Sequence, residues 1–212
     1  MHIYAFGSIC RGEISPDSDI DLLAITDGDN SQFDLETFSV YSYTRIREIW
    51  KEGNPFAWHL FFESKLLFSS NHQDYLKALG HPSPYQNYLK DCYKFYTLFQ
   101  EAHASIENNT SSRVFDLSTI FLSIRNIATC FSLGVRECPN FARNSALHLD
   151  EDSISLSINS YRIFERARIL CTRGQGENIG SEELNIAISK LDEVDSWMNK
   201  LLERANNHER IQ

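Results

Sequence analysis

Short apolar runs alternate with turn residues over the first third of the chain. An apolar run that ends at a glycine predicts one strand, and an alternation of acidic and apolar residues that becomes fully apolar predicts a second, central one. β-Branched and aromatic residues predict two more strands. Helical spacing between the last two predicts two short helices, around residues 46–50 and over 56–63. The predicted strands cover residues 3–6, 19–25, 37–43 and 66–68.

From about residue 73 the pattern changes to apolar residues at i, i+3 and i+4, which is typical of amphipathic helices. Linkers rich in Pro, Gly, Asn and Ser separate these segments. The predicted helical segments are 73–79, 85–107, 114–133, 155–171 and 181–206. We therefore predict an α+β protein with a small mixed sheet over residues 1–72 and a helical bundle over residues 73–212.

Composition and charge restrict the class of protein. The net charge of −9 argues against broad, non-specific binding of DNA or RNA, because binding to nucleic-acid phosphates relies on clustered Lys and Arg. Five cysteines without a CxxC pair make a disulfide framework or a structural zinc site a poor expectation. We see no signal peptide and no run of about 18 continuous apolar residues for a bilayer span. We expect a cytoplasmic protein that does not bind a membrane.

A Gly-Ser pair ends the first predicted strand, and two aspartates begin the second. Ten residues separate Ser8 from Asp19. Asp19 and Asp21, at i and i+2 on a strand, point to one face, where their carboxylates can hold divalent ions for phosphoryl chemistry. Gly7 leaves room for a phosphate, Ser8 adds a hydroxyl donor, and Arg11 adds a charged contact. We interpret these three as nucleotide-binding and the aspartates as catalytic and metal-binding residues.

The runs over residues 6–12 and 18–23 resemble the signature of the DNA polymerase β-like nucleotidyltransferase superfamily, and most closely its minimal and kanamycin-nucleotidyltransferase-type branches. The resemblance implies a short mixed sheet, two Mg²⁺ ions, an NTP donor, and transfer of a nucleoside monophosphate with release of pyrophosphate. It also places Ser18 among the nucleotide-binding residues. The alternative, an Asp-rich surface turn, fits poorly with the apolar run over 22–25, which we expect to be buried.

The superfamily generally uses a third carboxylate on a later strand. The third predicted strand carries no acid, although Glu36 lies just before it. Glu63 comes later and shares a helix face with His59 at i, i+4. We consider Glu63 as the third acid or base, Glu36 as a weaker candidate, and a structural His59–Glu63 pair as the alternative.

The helical half resembles, more loosely, the HEPN-like helical domains that accompany these enzymes. Arg143 and His148 fit the Arg-x4–6-His motif of HEPN-type RNases, but such a match arises easily by chance. Arg125-Asn126 lies on an otherwise apolar helix. It is either part of an acceptor site or a buried arginine that satisfies loop carbonyls.

A dense aromatic stretch follows residue 84, with lysines between its rings. This pattern is typical of a helix core or a homodimer interface, and stacking of nucleic-acid bases is the weaker alternative. Its members are Tyr85, Tyr88, Lys90, Tyr93, Lys94, Phe95, Tyr96 and Phe99.

The sequence thus predicts a Mg-dependent transfer of AMP from ATP to a hydroxyl of a small molecule or a protein. Three alternatives stay open. They are a toxin–antitoxin or defence component that modifies a protein partner, a nucleotide-binding protein without turnover, and a HEPN-type RNase.

Overall fold

The structure, a computed structural model, describes residues 1–13, 20–28, 31–109, 112–136 and 138–210. It comprises two compact units, Met1–Gln86 and Asn87–Gln212.

The first unit is built on a mixed, four-stranded sheet in the described residues, with strand order β3-β2-β1-β4. β1 pairs antiparallel with both β2 and β4, whereas β2 and β3 are parallel. The strands are β1 (His2–Phe6), β2 (Asp21–Ile25), β3 (Phe38–Tyr41) and β4 (Ser64–Ser69). The prediction of an α+β protein with a small mixed sheet is confirmed, and β2 is central as expected.

Two short helices follow β3, as predicted, and each begins at a local sequence signal. The Oγ of Ser42 accepts a hydrogen bond from the backbone N–H of Arg45 and caps α1 (Tyr43–Lys51). The side chain of Asn54 accepts from the N–H of Phe56, and Pro55 occupies the first position of α2 (Pro55–Glu63). A one-turn helix, α3 (Tyr75–Ala78), comes after β4.

The core of the first unit lies between one face of the sheet and these helices. Alternate residues of the two central strands point inward and pack on α1 and α2. The buried set includes Tyr4, Phe6, Leu23, Ile25, Ile46, Ile49, Trp50, Ala57 and Leu60. Asp21 alternates with Leu23 and Ile25 along β2, so its side chain lies on the same, helix-covered face of the sheet. It is at the end of the strand where burial stops.

The segment after α3 packs against the sheet unit. The indole Nε1 of Trp50 donates to the carbonyl of Gly80 over 2.9 Å, and that of Trp58 donates to the carbonyl of Ser83 over 3.1 Å. Gly53 has a φ of +62°, and a Cβ there would lie 2.3 Å from the carbonyl oxygen of Pro84. These contacts extend the first compact unit to Gln86, whereas the periodicity alone placed the change at residue 72.

The second unit is helical throughout its described regular elements. Its helices are α4 (Tyr88–Asn108), α5 (Arg113–Gly134), α6 (Ile158–Arg173), α7 (Ser181–Ile188) and α8 (Leu191–Glu209). The prediction of one helical segment over 181–206 is wrong in one respect, because the chain turns between α7 and α8. The Oγ of Ser189 donates to the carbonyl of Ile186, and acidic residues in the first turn of α8 favour a new helix start.

Helix α5 is the centre of this unit. By length and composition alone it is apolar enough to cross a membrane, with a mean hydropathy of 1.3 over an 18-residue stretch. However, 67% of that stretch is buried inside the protein, which is typical of the core helix of a globular unit. The helix is therefore weak evidence for a membrane span.

A buried carboxylate fastens α8 to the segment before α6. The side chain of Asp152 is fully buried, and the cationic groups of Arg136, Lys200 and Arg204 surround it. The Lys200 Nζ lies 3.5 Å from Asp152 Oδ1, and the Trp197 indole donates to the Asp152 carbonyl over 2.7 Å. Burial of this charge is tolerable because it is paired.

We predict that Leu60→Ala lowers the free energy of unfolding of the first unit by about 2–5 kcal/mol, because Leu60 is fully buried and truncation leaves a cavity. Urea denaturation followed by circular dichroism measures the change. Leu67→Ala is the matched control, since this leucine is 59% exposed, and we expect an effect below about 0.5 kcal/mol. Equal effects of the two substitutions would contradict the assignment of this core.

Candidate active site

A tight turn ends β1. Gly7–Arg11 forms a short 3-10 helix. The backbone N–H of Gly12 donates to the carbonyl of Ile9, and that of Glu13 donates to the carbonyl of Ser8 over 3.0 Å. Gly7 and Gly12, with φ of +76° and +78°, allow the chain to enter and leave this turn.

Strand register brings three segments of the chain to this turn. Phe6, the last residue of β1, pairs with Asp21 on one side and with Ser64 on the other. Gly7 follows Phe6, and Glu63 precedes Ser64. Because both neighbours of β1 are antiparallel to it, the end of β1 meets the start of β2 and the start of β4. The predicted site residues Gly7, Asp21 and Glu63 therefore lie at the same end of the sheet.

The carboxylate of Asp21 lies directly against the turn. A Cβ at Gly7 would lie 2.9 Å from Asp21 Oδ2 and 3.8 Å from His59 Cε1. The ring of His59 also packs edge-on against Phe6, with 5.7 Å between centroids. A side chain at position 7 would therefore clash with the Asp21 carboxylate, and only glycine leaves room for it beside the backbone. The sequence pattern alone did not indicate this steric requirement.

Glu63, at the end of α2, is contacted by the side chains of Arg11 and His59. Its Oε2 accepts a hydrogen bond from Arg11 Nη1 and lies 2.9 Å from His59 Nε2. The side chains are largely buried, with 13% exposure for Glu63 and 15% for His59. The i, i+4 contact between His59 and Glu63 agrees with the prediction that they share a helix face. The ion pair with Arg11 is the additional contact that tertiary structure creates.

Arg11 also pairs with an acid that the sequence analysis did not single out. Its Nε and Nη2 contact Oε2 of Glu13 at 2.9 and 2.8 Å. Desolvation by itself lowers the pKa of Arg11, but the hydrogen bond that it donates to Glu13 and the charges of Glu13 and Glu63 raise this pKa above its ordinary value. An acid two residues after the arginine was the available sequence signal.

The remaining predicted carboxylates are placed as follows. Ser18 and Asp19 lie outside the described residues. Glu36 is exposed before β3, and its backbone N–H donates to Asp34 Oδ1 over 3.0 Å. Within β3, Ser39 pairs with Leu23 and so faces the same side as Asp21, but it has no carboxylate.

Metal binding at this site depends on oxygen donors. Among the residues that the structure describes, no group of three or more His, Cys, Asp or Glu side chains is arranged to hold a metal ion. The Asp21 carboxylate supplies the hard oxygen ligands that Mg²⁺ prefers, and it lies at the exposed end of β2. The Asp21 carboxylate is thus suited to bind Mg²⁺, and Asp19 is the second predicted ligand.

The candidate residues of the helical unit make structural contacts. Arg125 is half-buried, and its Nη2 donates to the carbonyl of Phe141 over 3.2 Å, which agrees with the alternative of an arginine that satisfies a loop carbonyl. His148 Nδ1 lies 3.0 Å from the carbonyl oxygen of Asn144. The Arg143 carbonyl accepts a hydrogen bond from the Tyr161 hydroxyl over 2.8 Å.

The aromatic stretch of α4 is divided between core and helix contacts. Tyr88 and Phe99 are buried, and the Tyr96 hydroxyl donates to Asp195 Oδ1 of α8 over 3.1 Å. Tyr93 is 45% exposed, but its hydroxyl accepts from Asn206. The stretch therefore serves largely to pack α4 within its own unit.

Comparison with known protein families gives one match for the site unit. Residues 2–79 match the family model of the nucleotidyltransferase domain. The matched region contains the whole sheet, the turn at Gly7 and helices α1 to α3. It supports the superfamily that the Gly-Ser and Asp-x-Asp runs resemble. A search of curated proteins found no match for the chain.

We predict that Gly7→Ala and Gly12→Ala each destabilise the turn by about 1–2 kcal/mol, because both positions have positive φ. Only Gly7→Ala also displaces the Asp21 carboxylate, since a Cβ at Gly12 meets nothing within 4 Å. We expect Gly7→Ala alone to weaken Mg·ATP binding by about 10-fold or more, corresponding to about 1.4 kcal/mol.

Isothermal titration calorimetry measures the binding, and thermal unfolding measures the shared strain. Equal losses of Mg·ATP affinity in the two variants would show that backbone strain, rather than the Gly7–Asp21 contact, determines the effect.

Proposed function

We propose that the protein is a Mg-dependent nucleotidyltransferase that moves a nucleoside monophosphate, AMP, from ATP to a hydroxyl of a small molecule or a protein. The observation that carries the proposal is the Asp21 carboxylate beside the Gly7 turn, within a segment that matches the nucleotidyltransferase domain. Nucleotidyl transfer needs negative charge to be neutralised at a phosphate, and a carboxylate next to a phosphate-binding turn is suited to hold the ion that does so.

Asp19 and Asp21 would hold Mg²⁺ ions. When bound, Mg²⁺ neutralises the negative charge that develops on the phosphates during transfer. The oxygen ligands of Asp21 support this choice of metal. The carboxylate of Glu63 is a weaker candidate ligand, because it is already paired with Arg11 and contacted by His59.

The chain's own residues bind and orient the triphosphate. The turn at Gly7 and Ser8 offers backbone N–H groups and a hydroxyl to the β- and γ-phosphates, and Arg11 adds a cationic contact. Ser18, which precedes the acid pair, is the further predicted contact.

In the transfer step the acceptor oxygen bonds to the α-phosphorus, the bond to the bridging oxygen breaks, and pyrophosphate leaves. The acceptor proton passes to a base, for which Oε1 of Glu63 is the candidate, since Arg11 and His59 both contact Oε2.

The helical unit is proposed to bind the acceptor. An acidic protein with a net charge of −9 favours a cationic acceptor, such as an aminoglycoside, over nucleic acid. A toxin–antitoxin or defence role follows if the acceptor is a hydroxyl of a partner protein. The kanamycin-nucleotidyltransferase and HEPN-like resemblances, a homodimer through the helical unit and the cytoplasmic location stay predictions.

A nucleotide-binding protein without turnover is the second candidate, and a specific observation favours it. Ser39 occupies the position on β3 that faces the same side of the sheet as Asp21, and the carboxylate of Glu63 forms an ion pair with Arg11. A site that binds Mg·ATP but has no base to take the proton of the acceptor hydroxyl would serve a regulatory role and would not transfer the nucleotide. The RNase alternative is not proposed, because His148 contacts the carbonyl of Asn144 in an ordinary local interaction.

We predict that Asp21→Asn lowers AMP transfer from α-labelled ATP by on the order of 100-fold or more, because metal-held charge stabilisation amounts to several kcal/mol. The assay incubates the protein with Mg²⁺ and a panel of aminoglycosides and candidate protein partners, and follows label on the acceptor and released pyrophosphate. Asp19→Asn is expected to behave in the same way.

Asp192→Asn is the matched control, since it removes an equal charge from an exposed position in the first turn of α8. Saturable Mg·ATP binding without transfer to any acceptor would favour the second candidate. Absence of both binding and transfer in the wild-type protein would contradict the proposed function.

A further inference from the structure

The guanidinium of Arg11 is already occupied on two sides. Its Nη1 donates to Glu63 Oε2, while Nε and Nη2 contact Oε2 of Glu13 at 2.9 and 2.8 Å. A guanidinium presents parallel N–H groups along the edge formed by Nε and one terminal nitrogen. That edge can bind two oxygens of a phosphate.

The two carboxylates on Arg11 differ in burial and support. Glu63 is 13% exposed and is backed by His59, whose Nε2 lies 2.9 Å from the same oxygen. Glu13 is 54% exposed, and among the described contacts its carboxylate is paired with Arg11. Exposed ion pairs contribute little to stability, so the Glu13 contact is the one that an anion displaces most easily.

The backbone of Glu13 does not need to move for this exchange. Its N–H donates to the carbonyl of Ser8 over 3.0 Å, which fastens residue 13 to the turn. Rotation of the Glu13 side chain toward solvent is therefore enough to expose the Nε and Nη2 edge of Arg11. The contact between Arg11 Nη1 and Glu63 can persist while the Glu13 carboxylate leaves the Nε and Nη2 edge.

We propose that Glu13 occupies the phosphate-binding edge of Arg11 in the nucleotide-free protein, and that the triphosphate of the nucleotide displaces it. Glu63, supported by His59, acts as a positioning residue that keeps Arg11 directed at the turn. This inference rests on the proposed function, since the displacing group is the phosphate chain of the donor nucleotide. Glu13 is thus an internal competitor that lowers nucleotide affinity.

The two glutamates should consequently have opposite effects on nucleotide binding. Glu13→Gln removes the competing charge, and we expect the Kd for Mg·ATP to fall by about 3- to 10-fold. Glu63→Gln removes the buried anchor of Arg11, and we expect the Kd to rise by about 10-fold. A purely structural role for the two acids would not produce changes of opposite sign.

Isothermal titration calorimetry on the full chain tests this with Mg·ATP, inorganic tripolyphosphate and adenosine as probes. Glu13→Gln is expected to tighten binding of both phosphate probes and to leave adenosine unchanged. Glu48→Gln is the matched control, because Glu48 is 52% exposed and pairs with Arg45 at 3.0 Å in the same unit. In an Arg11→Gln background, Glu13→Gln should have no further effect. Circular dichroism verifies that each variant is folded.

Each outcome decides the inference. If the wild-type protein binds the phosphate probes and Glu13→Gln leaves this binding unchanged or weakens it, the inference is overturned. The proposed function then stands. Equal tightening by Glu48→Gln also overturns it, because the effect would then be one of net charge. If neither the wild type nor Glu13→Gln binds any phosphate probe, both the inference and the proposed function fail.

Discussion

The antiparallel pairing of β1 with strands on both of its sides is the constraint on which the candidate site depends. Phe6 lies opposite Asp21 and opposite Ser64, so the ends of segments far apart in sequence meet at one turn. A shift of either register by one residue would turn Asp21 or Ser64 to the other face of the sheet. The burial of Leu23 and Ile25 against α1 and α2 holds that register, so the core of the unit and the geometry of its site have a common origin.

Charge distribution at the site follows from this geometry. The turn brings Arg11 next to Glu13, and α2 brings Glu63 and His59 to the same place. The acids neutralise the cation, so the site is not an open basic pocket in this structure. This arrangement is unlike the broad cationic surface of nucleic-acid-binding proteins.

The helical unit is held together differently. Most residues of its central helix α5 are buried, and a fully buried Asp152 is neutralised by Arg136, Lys200 and Arg204. This network joins α8 to the preceding segment, because Lys200 and Arg204 of α8 contact the carboxylate of Asp152. The polar candidates in this unit, Arg125 among them, contribute to this packing through loop carbonyls.

Local sequence determined the strands and most of the helices, because periodicity, caps and turn residues act over a few positions. It also predicted Gly7, Ser8 and Asp21 as candidate site residues. It did not determine the turn between α7 and α8, since the apolar period continues across Ser189, nor the extension of the first unit to Gln86. The pairing of Arg11 with Glu63, 52 residues apart, was beyond it as well. Ion pairs and register join distant segments, and only the folded chain decides which of them meet.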